Sequence, residues 1–296
     1  MIKDLRPKIS LVITDLDNTL YDWVSFYVPA LYEMARVASE ILGVEQDLLL
    51  DDLQAVHRKY ENSEQPFALL EAACVQDQMA SLSREELVDH LDPAFYAFNR
   101  VRKEELVLYD GVVETLNTIR ISGAIIVAHT EARVPNSLFR VKTLGLDSVI
   151  EKLYAPKGQG PSHPSGLDPK YVELERRLVS LLPAEHRKPD PDVIQDICND
   201  FGVAPERTLY VGDSLSRDIW MANQAKSHSA WAHYGTIFDA ENWTKLVRVT
   251  HWTEQDVQRE KLLKDRATTA KPDVELTTFE ELLRYFQFGP KGPDQS

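Results

Sequence analysis

Residues Ile9-Ser10-Leu11-Val12-Ile13-Thr14 form a short apolar run that passes without a break into Asp15-Leu16-Asp17-Asn18-Thr19-Leu20. A run of this length without polar alternation predicts a strand buried on both faces. Strands of that kind belong to parallel sheets covered by helices, so the run points to an α/β fold. Its last residues then reach the carboxyl edge of the sheet, where open α/β folds bind their ligands. Two carboxylates one residue apart at such an edge repel each other unless a cation or a proton separates them. Two readings are open for the pair. It is a metal site with a carboxylate able to do chemistry, or a turn and capping cluster that closes the strand.

After this strand the pattern changes to helical spacing. Tyr27, Leu31, Met34, Ala35, Ala38, Ile41 and Leu42 fall on one helical face, and Leu49, Leu53, Val56, His57 and Tyr60 repeat the pattern. Ser83-Arg84-Glu85-Glu86 predicts a capping box opening another helix. No strand is expected before about Glu105, so residues 22–105 read as an all-helical insertion. From Leu106 strands and helices alternate: a helix over 112–121, a strand over 124–128, a helix over 135–144 stopped by Gly145, and a strand over 148–154. A Pro- and Gly-rich loop runs from Pro156 to Pro169, ahead of a helix with Tyr171, Leu174, Leu178 and Leu181 on one side. Asp190-Pro191 predicts the N-cap and first turn of the next helix, with strands expected over 207–211 and 229–234. The stretch from Trp243 to Lys271 is charged and irregular, Val274–Phe279 predicts a last strand, and 289–296 reads as a disordered tail. The expected architecture is a Rossmann-like parallel sheet flanked by helices, built from residues 1–21 and 106–288. The all-helical domain 22–105 interrupts it, and 157–187 and 237–271 are smaller insertions.

Charge narrows the function classes. A net charge of -14 argues against a general nucleic-acid binder, which needs a basic stripe to displace counterions. It leaves room for a small phosphorylated partner, because one bound ion reverses the field inside a cleft. Cys74 and Cys198 each sit in a helical-looking apolar pattern and are expected to be buried free thiols in a reducing cytosol. The segment from Met1 to Lys8 is too charged for a signal peptide, and no apolar run approaches a membrane span. A cytoplasmic protein with no membrane partner is expected.

Three predicted strands end in polar residues that an apolar core does not require: Asp15 and Asp17, His129-Thr130, and Gly212-Asp213. Lys188 stands just before a helix start, in Arg187-Lys188-Pro189-Asp190-Pro191-Asp192. Each has a plain explanation on its own: Thr130 as a turn cap, Lys188 as a solvated lysine, Asp213 as a turn residue. In a parallel sheet the strand ends converge on one edge. Three carboxylates, a hydroxyl and an ammonium would then share one cleft.

Taken in order, these segments resemble the four motifs of the haloacid dehalogenase superfamily of phosphohydrolases. Asp15-Leu16-Asp17-Asn18-Thr19 is similar to the first motif, Thr130 to the second, Lys188 in Lys-Pro-Asp-Pro to the third, and Gly212-Asp213-Ser214-Leu215-Ser216-Arg217-Asp218 to the fourth. The resemblance covers about 8–22 and 106–235, and weakly the end near Val274. It implies a phosphatase acting on a small phosphorylated metabolite, with Asp15 as the nucleophile that forms an aspartyl-phosphate. It further implies Mg²⁺ bound by Asp15, the backbone carbonyl of Asp17, and Asp213, with Asp17 as general acid and base. Thr130 and Lys188 would hold the phosphoryl oxygens. Asp218 would reach the metal or position Lys188 or Asp213.

The insertion 22–105 resembles a helical cap placed over the cleft. Tyr21, Asp22 and Trp23 at its start, and His129 beside Thr130, are candidate substrate contacts, with ordinary packing as the alternative. His233 reads as structural. The insertions 157–187 and 237–271 depart from the usual pattern. A phosphomutase would use the same four motifs. A dehalogenase is the nearest chemical rival, and Asp17 argues against it, because halide leaves without a proton and dehalogenases lack that second Asp. A non-catalytic binding protein of the same fold is the remaining alternative, and the intact motif set argues against it.

Overall fold

The computed structural model describes residues 5–157, 169–183, 186–251, 263 and 265–291. The predicted first strand is split at Ser10. Strand β1 (Lys8–Ile9) pairs with a short strand at Gln287–Phe288, while β2 (Leu11–Thr14) enters the main sheet. A purely helical stretch follows: α1 (Trp23–Leu42), α2 (Gln46–Lys59), α3 (Ala73–Gln78), α4 (Arg84–His90) and α5 (Asp92–Glu105). Alternation then resumes with α6 (Val112–Ile121), β3 (Ile125–His129), α7 (Val134–Thr143), β4 (Lys152–Pro156), α8 (Pro169–Leu178) and β5 (Val179–Leu182). It continues through α9 (Pro191–Phe201), β6 (Thr208–Gly212), α10 (Trp220–Ala225), β7 (His228–Ala232), α11 (Ala240–Val249) and β8 (Val274–Leu276).

The main sheet has seven strands in the order β5-β4-β3-β2-β6-β7-β8, all parallel. β2 lies at its centre, and Leu11, Val12 and Ile13 are fully buried, as an uninterrupted apolar run requires. Val12 packs on one face with Ile126, Leu209 and Val211, whereas Leu11 and Ile13 pack on the other with Val127, Tyr210 and the α9 residues Val193, Ile194 and Ile197. Burial of each such side chain contributes about 1.5–3 kcal/mol, which fixes the strand that carries Asp15. In register, Thr14 stands beside Ala128 of β3 and Val211 of β6. The residues that follow these three leave the sheet together at one edge.

The helical stretch forms where the spacing predicts it. Tyr27, Leu31, Met34, Ala35, Ala38 and Leu42 are the buried face of α1, which packs along α5. Asp22 caps α1 through Ser25, and Ser83 with Glu86 makes the predicted capping box of α4. Both cysteines are buried free thiols. Among the described residues no helix is long and apolar enough to cross a membrane.

Four further expectations differ from the structure. The helix through Leu181 ends at Leu178, and Val179–Leu182 adds an edge strand beside β4. Leu181 is exposed, so its spacing from Leu174 and Leu178 was a coincidence of helical phase. The strand expected over 148–154 starts later, at Lys152, after a single turn at Leu146–Ser148. The region read as irregular contains α11, which packs against α1 and α2. Gly289 and Pro290, at the head of the expected tail, bond to Ile9 and Ser10 of the first strand region and to Arg207 just before β6. Residues 292–296 of that tail, the loop core 158–168 and residues 252–262 lie outside the described residues.

Contacts from α11 tie the helical stretch to the sheet domain at points far from the chain crossings. Tyr32 Oη donates to the Lys245 carbonyl at 3.1 Å, and Gln54 Nε2 donates to the Arg248 carbonyl at 2.6 Å. His57 is fully buried, and its Nδ1–H donates to the Val249 carbonyl at 2.7 Å. Burial holds its imidazole neutral and lowers its pKa to about 4, against an ordinary value near 6.5. Above pH 6.5 the ring is neutral in both the folded and unfolded chain, so it adds no pH dependence. Between pH 6.5 and 4 only the unfolded chain takes up the proton, and stability falls by about 3 kcal/mol from this group. His57→Gln keeps a donor for Val249 and removes the titration. The gap in urea-unfolding free energy between wild type and H57Q is therefore expected to shift against wild type by about 2–3 kcal/mol from pH 7 to pH 4.5.

Candidate active site

Asp15 leaves β2 with its backbone N–H still bonded to the Val211 carbonyl, so its position is set by the ladder itself. Its Oδ1 accepts from the Leu16 N–H at 2.8 Å and pairs with Lys188 Nζ at 2.9 Å. Lys188 is buried just before α9 and makes a second pair, with Asp218 Oδ1 at 2.9 Å. Asp218 Oδ2 accepts from the Ser214 N–H at 3.1 Å, which holds the turn after β6. Gly212 is required there, because a Cβ at that position would collide with the Asp218 carboxylate. Thr130 follows β3 with its N–H bonded to the Tyr154 carbonyl, and its hydroxyl accepts from the Ala132 N–H at 3.0 Å. Sequence-distant groups are thus gathered by strand ends, as the alternating pattern implies.

Oxygens of Asp15, Asp213 and Asp218 all lie within 4.8 Å of one another. Three carboxylates this close are costly unless charge is supplied. Burial raises the Asp15 carboxyl to about 7; Lys188 opposes that rise and the Asp218 charge adds to it. Asp213 is likewise pushed well above its ordinary range, by burial first and then by the charges of Asp218 and Asp15. Burial works against the Lys188 ammonium, but Asp15 and Asp218 outweigh it and hold the lysine protonated. One buried ammonium does not neutralise three acids. The donor set is all hard oxygen, and a small divalent cation such as Mg²⁺ fits both its chemistry and its excess negative charge.

Asp17 faces a different environment. Both of its carboxylate oxygens accept from Arg140 Nη1, at 2.8 and 3.0 Å. Arg140 projects from α7, is 2% exposed, and its second nitrogen pairs with Glu64. Glu64 precedes the short 3₁₀ helix Pro66–Glu71 and also accepts from Trp23 Nε1 at 2.6 Å and from Asn136 Nδ2 at 3.2 Å. The chain between Asp17 and Trp23 is a tight turn, with Asn18 in the left-handed region (φ 56°) and its N–H bonded to the Tyr21 carbonyl.

The four candidate substrate contacts make packing and capping contacts. Tyr21 is fully buried, Asp22 caps α1, and Trp23 stacks on Tyr27 while bonding Glu64. His129 is buried, and its Nδ1 meets the Tyr210 hydroxyl at 3.0 Å. His233 pairs with Glu275 near the sheet edge. Motif reading missed Arg140 and Glu64. The one local signal was Arg140 lying four residues after Asn136, on the same side of a helix with a buried stripe. Arg133, three residues after Thr130, and Arg187, adjacent to Lys188, are two cations close enough to act on each other. Burial and the Arg187 charge lower the Arg133 pKa to about 10.

Residues 9–226 match the profile of the haloacid dehalogenase-like hydrolase family. The chain is 24% identical over 254 residues to the N-acetylmuramic acid 6-phosphate phosphatase of Pseudomonas aeruginosa, across 83% of this chain and 92% of that protein. It is 27% identical over 239 residues to the glyceraldehyde 3-phosphate phosphatase of Methanopyrus kandleri, across 79% and 88% of the two chains. Among solved structures it resembles a 2-haloacid dehalogenase from Pseudomonas syringae pv. Tomato, with a TM-score of 0.52 and 18% identity over 94% of this chain and 97% of that one. The structural likeness concerns the fold.

Proposed function

The chain belongs to the haloacid dehalogenase-like hydrolases, and from that premise we propose that it is a Mg²⁺-dependent phosphatase of a small phosphorylated metabolite. The observation that carries the reading is the buried Asp15–Lys188–Asp218 chain beside Asp213, with the separately held Asp17 two residues from Asp15. Both curated relatives are phosphatases of small phosphorylated compounds, which supports the same substrate class.

Asp15 attacks phosphorus, forming an Asp15 Oδ–P bond as the bond from phosphorus to the leaving oxygen breaks. Asp17 gives its proton to that oxygen, and the alcohol departs. Water then attacks the same phosphorus while Asp17 takes its proton, the aspartyl bond breaks, and inorganic phosphate leaves with Asp15 restored. Lys188 and Thr130 hold the equatorial oxygens, where charge spreads in the transition state. Asp15, Asp213 and the Asp17 carbonyl would hold Mg²⁺, with Asp218 positioning Lys188 or meeting the ion through water. When bound, the ion supplies the positive charge that lets a carboxylate approach a phosphate dianion. Arg133 and Arg187 attract that dianion to an otherwise acidic protein.

The helical stretch 22–105 acts as a cap over the core formed by 1–21 and 106–288, excluding water and supplying substrate contacts. Halide displacement is the weaker reading. It needs no proton donor, and the Arg140–Glu64 contacts around Asp17 would have no task in it.

The purified protein is expected to hydrolyse p-nitrophenyl phosphate or members of a sugar- and triose-phosphate panel with Mg²⁺, and to lose at least about 10²-fold in rate with EDTA. Restoring Mg²⁺ should restore the rate. Full activity after chelation, or release of halide but no phosphate, would contradict the proposal.

A further inference from the structure

We propose that Arg140 is a positioning residue for Asp17, and that Glu64 makes its action depend on the helical stretch being docked. The inference rests on the reading of Asp17 as the group that moves protons. Asp17 must deliver a proton to the departing oxygen and later take one from water at nearly the same point. That requires one carboxylate oxygen to be aimed consistently, and a 1 Å error costs rate.

The Asp17 side chain is partly exposed, and among the described residues its carboxylate is bonded by Arg140 and not by the buried Asp15 cluster. Its anchor is Arg140 Nη1, at 2.8 and 3.0 Å from the two oxygens. A planar guanidinium holds a carboxylate in a defined orientation, which a flexible ammonium does not. Arg140 itself cannot swing. It is buried, its other nitrogen is paired with Glu64, and its guanidinium lies 5.2 Å from the Phe26 ring centroid.

Glu64 plays two parts. Trp23 and Asn136 fix it from both sides, so the contact joins α1 and the segment after α2 to α7 of the sheet domain. It also shares the guanidinium charge with Asp17, so Asp17 is oriented without being the sole counter-ion of a buried cation. If the helical stretch lifts away from α7, Glu64 leaves and Arg140 loses its second support. Proton transfer is thereby tied to the docked arrangement, before any contact with substrate.

The test is a leaving-group series read as kcat/KM, which reports formation of the aspartyl-phosphate. Activated aryl phosphates need little protonation of the leaving oxygen, whereas alkyl phosphates such as glycerol phosphate need it fully. Arg140→Met is expected to lower kcat/KM for alkyl phosphates by about 10²-fold and for aryl phosphates by no more than about fivefold. Glu64→Gln should show the same slope with a smaller loss, and Arg140→Lys should recover part of the alkyl activity. Adding Arg140→Met to Asp17→Asn should cost little more than Asp17→Asn alone, since both act through one carboxylate.

An equal loss across all leaving groups, a faster alkyl reaction in Arg140→Met, or additive losses in the double variant would overturn the proposal. Should Arg140→Met fail to fold by its thermal melt, E64Q and R140K carry the same comparison. A flat leaving-group dependence in Asp17→Asn itself would sink the acid role of Asp17 instead, which separates the two failures.

Discussion

Asp15→Asn is expected to reduce phosphatase turnover by at least about 10⁴-fold while leaving the folded protein intact. The substitution keeps shape and removes only the nucleophilic oxygen's charge and electron pair. The amide oxygen can still accept from the Leu16 N–H, the contact that aims the side chain. Lys188 keeps Asp218 as a counter-ion at 2.9 Å, so no buried ammonium is stranded. Asn also removes a charge that burial disfavours, with the Asp218 charge adding to the penalty, as the rise of the Asp15 carboxyl to about 7 records. A melting temperature at or above that of wild type, with activity gone, is the expected pair of results. A large loss of stability would mean that Asp15 serves the fold more than the reaction.

Lys188→Met should damage both properties. Among the described residues the Lys188 ammonium is the cation paired with both Asp15 and Asp218, and all three side chains are nearly buried. Its loss leaves two carboxylates facing each other in the interior, a change that costs about 3–5 kcal/mol when one partner of a buried pair is removed. Turnover should fall by about 10³-fold, the scale of losing one preorganised donor at the position where transition-state charge develops. Chemical denaturation and kcat on the best substrate check the two effects separately. Lys188→Arg should not rescue activity, because a guanidinium has the charge but does not fit a site closed to 4% exposure around an ammonium. An active Lys188→Met enzyme would remove Lys188 from the proposed chemistry.

Much of the site was legible because its parts stand at strand ends. Asp15, Thr130 and Asp213 each follow an apolar run, and a parallel sheet brings such ends together whatever lies between them in sequence. Lys188 was legible through its Pro-Asp-Pro setting and the helix N-cap at Asp190. Arg140 and Glu64 had no comparable signal. Their geometry depends on how α7 and the segment after α2 dock, and neither residue lies at a spacing from Asp17 that a local pattern records. Trp23 was singled out by its place at the start of the helical stretch, and the bond of its indole N–H to Glu64 is likewise a contact that no local pattern records.

The fold shows a parallel division. β2, β3 and β6 are central strands, buried on both faces, and their apolar runs declared them. β5 is an edge strand with one exposed leucine and otherwise half-buried residues, and it was masked by helical phase continuing from α8. α11 was hidden because its polar face is strongly charged. Only Leu246 and Val249 are buried, and its remaining value lies in backbone carbonyls that receive Tyr32, Gln54 and His57. Acceptors on the main chain leave no trace in residue identity.

Direct capture of the covalent intermediate tests the central claim most closely. Asp17→Asn should slow attack of water on the aspartyl-phosphate, so the intermediate accumulates during turnover of an aryl phosphate with Mg²⁺. Acid quench and peptide mapping by mass spectrometry would then find the phosphoryl group on the peptide that holds Asp15, and on no peptide once Asp15→Asn is added. A phosphoryl group on a different residue, or turnover of substrate with none on the protein at any quench time, would contradict the account.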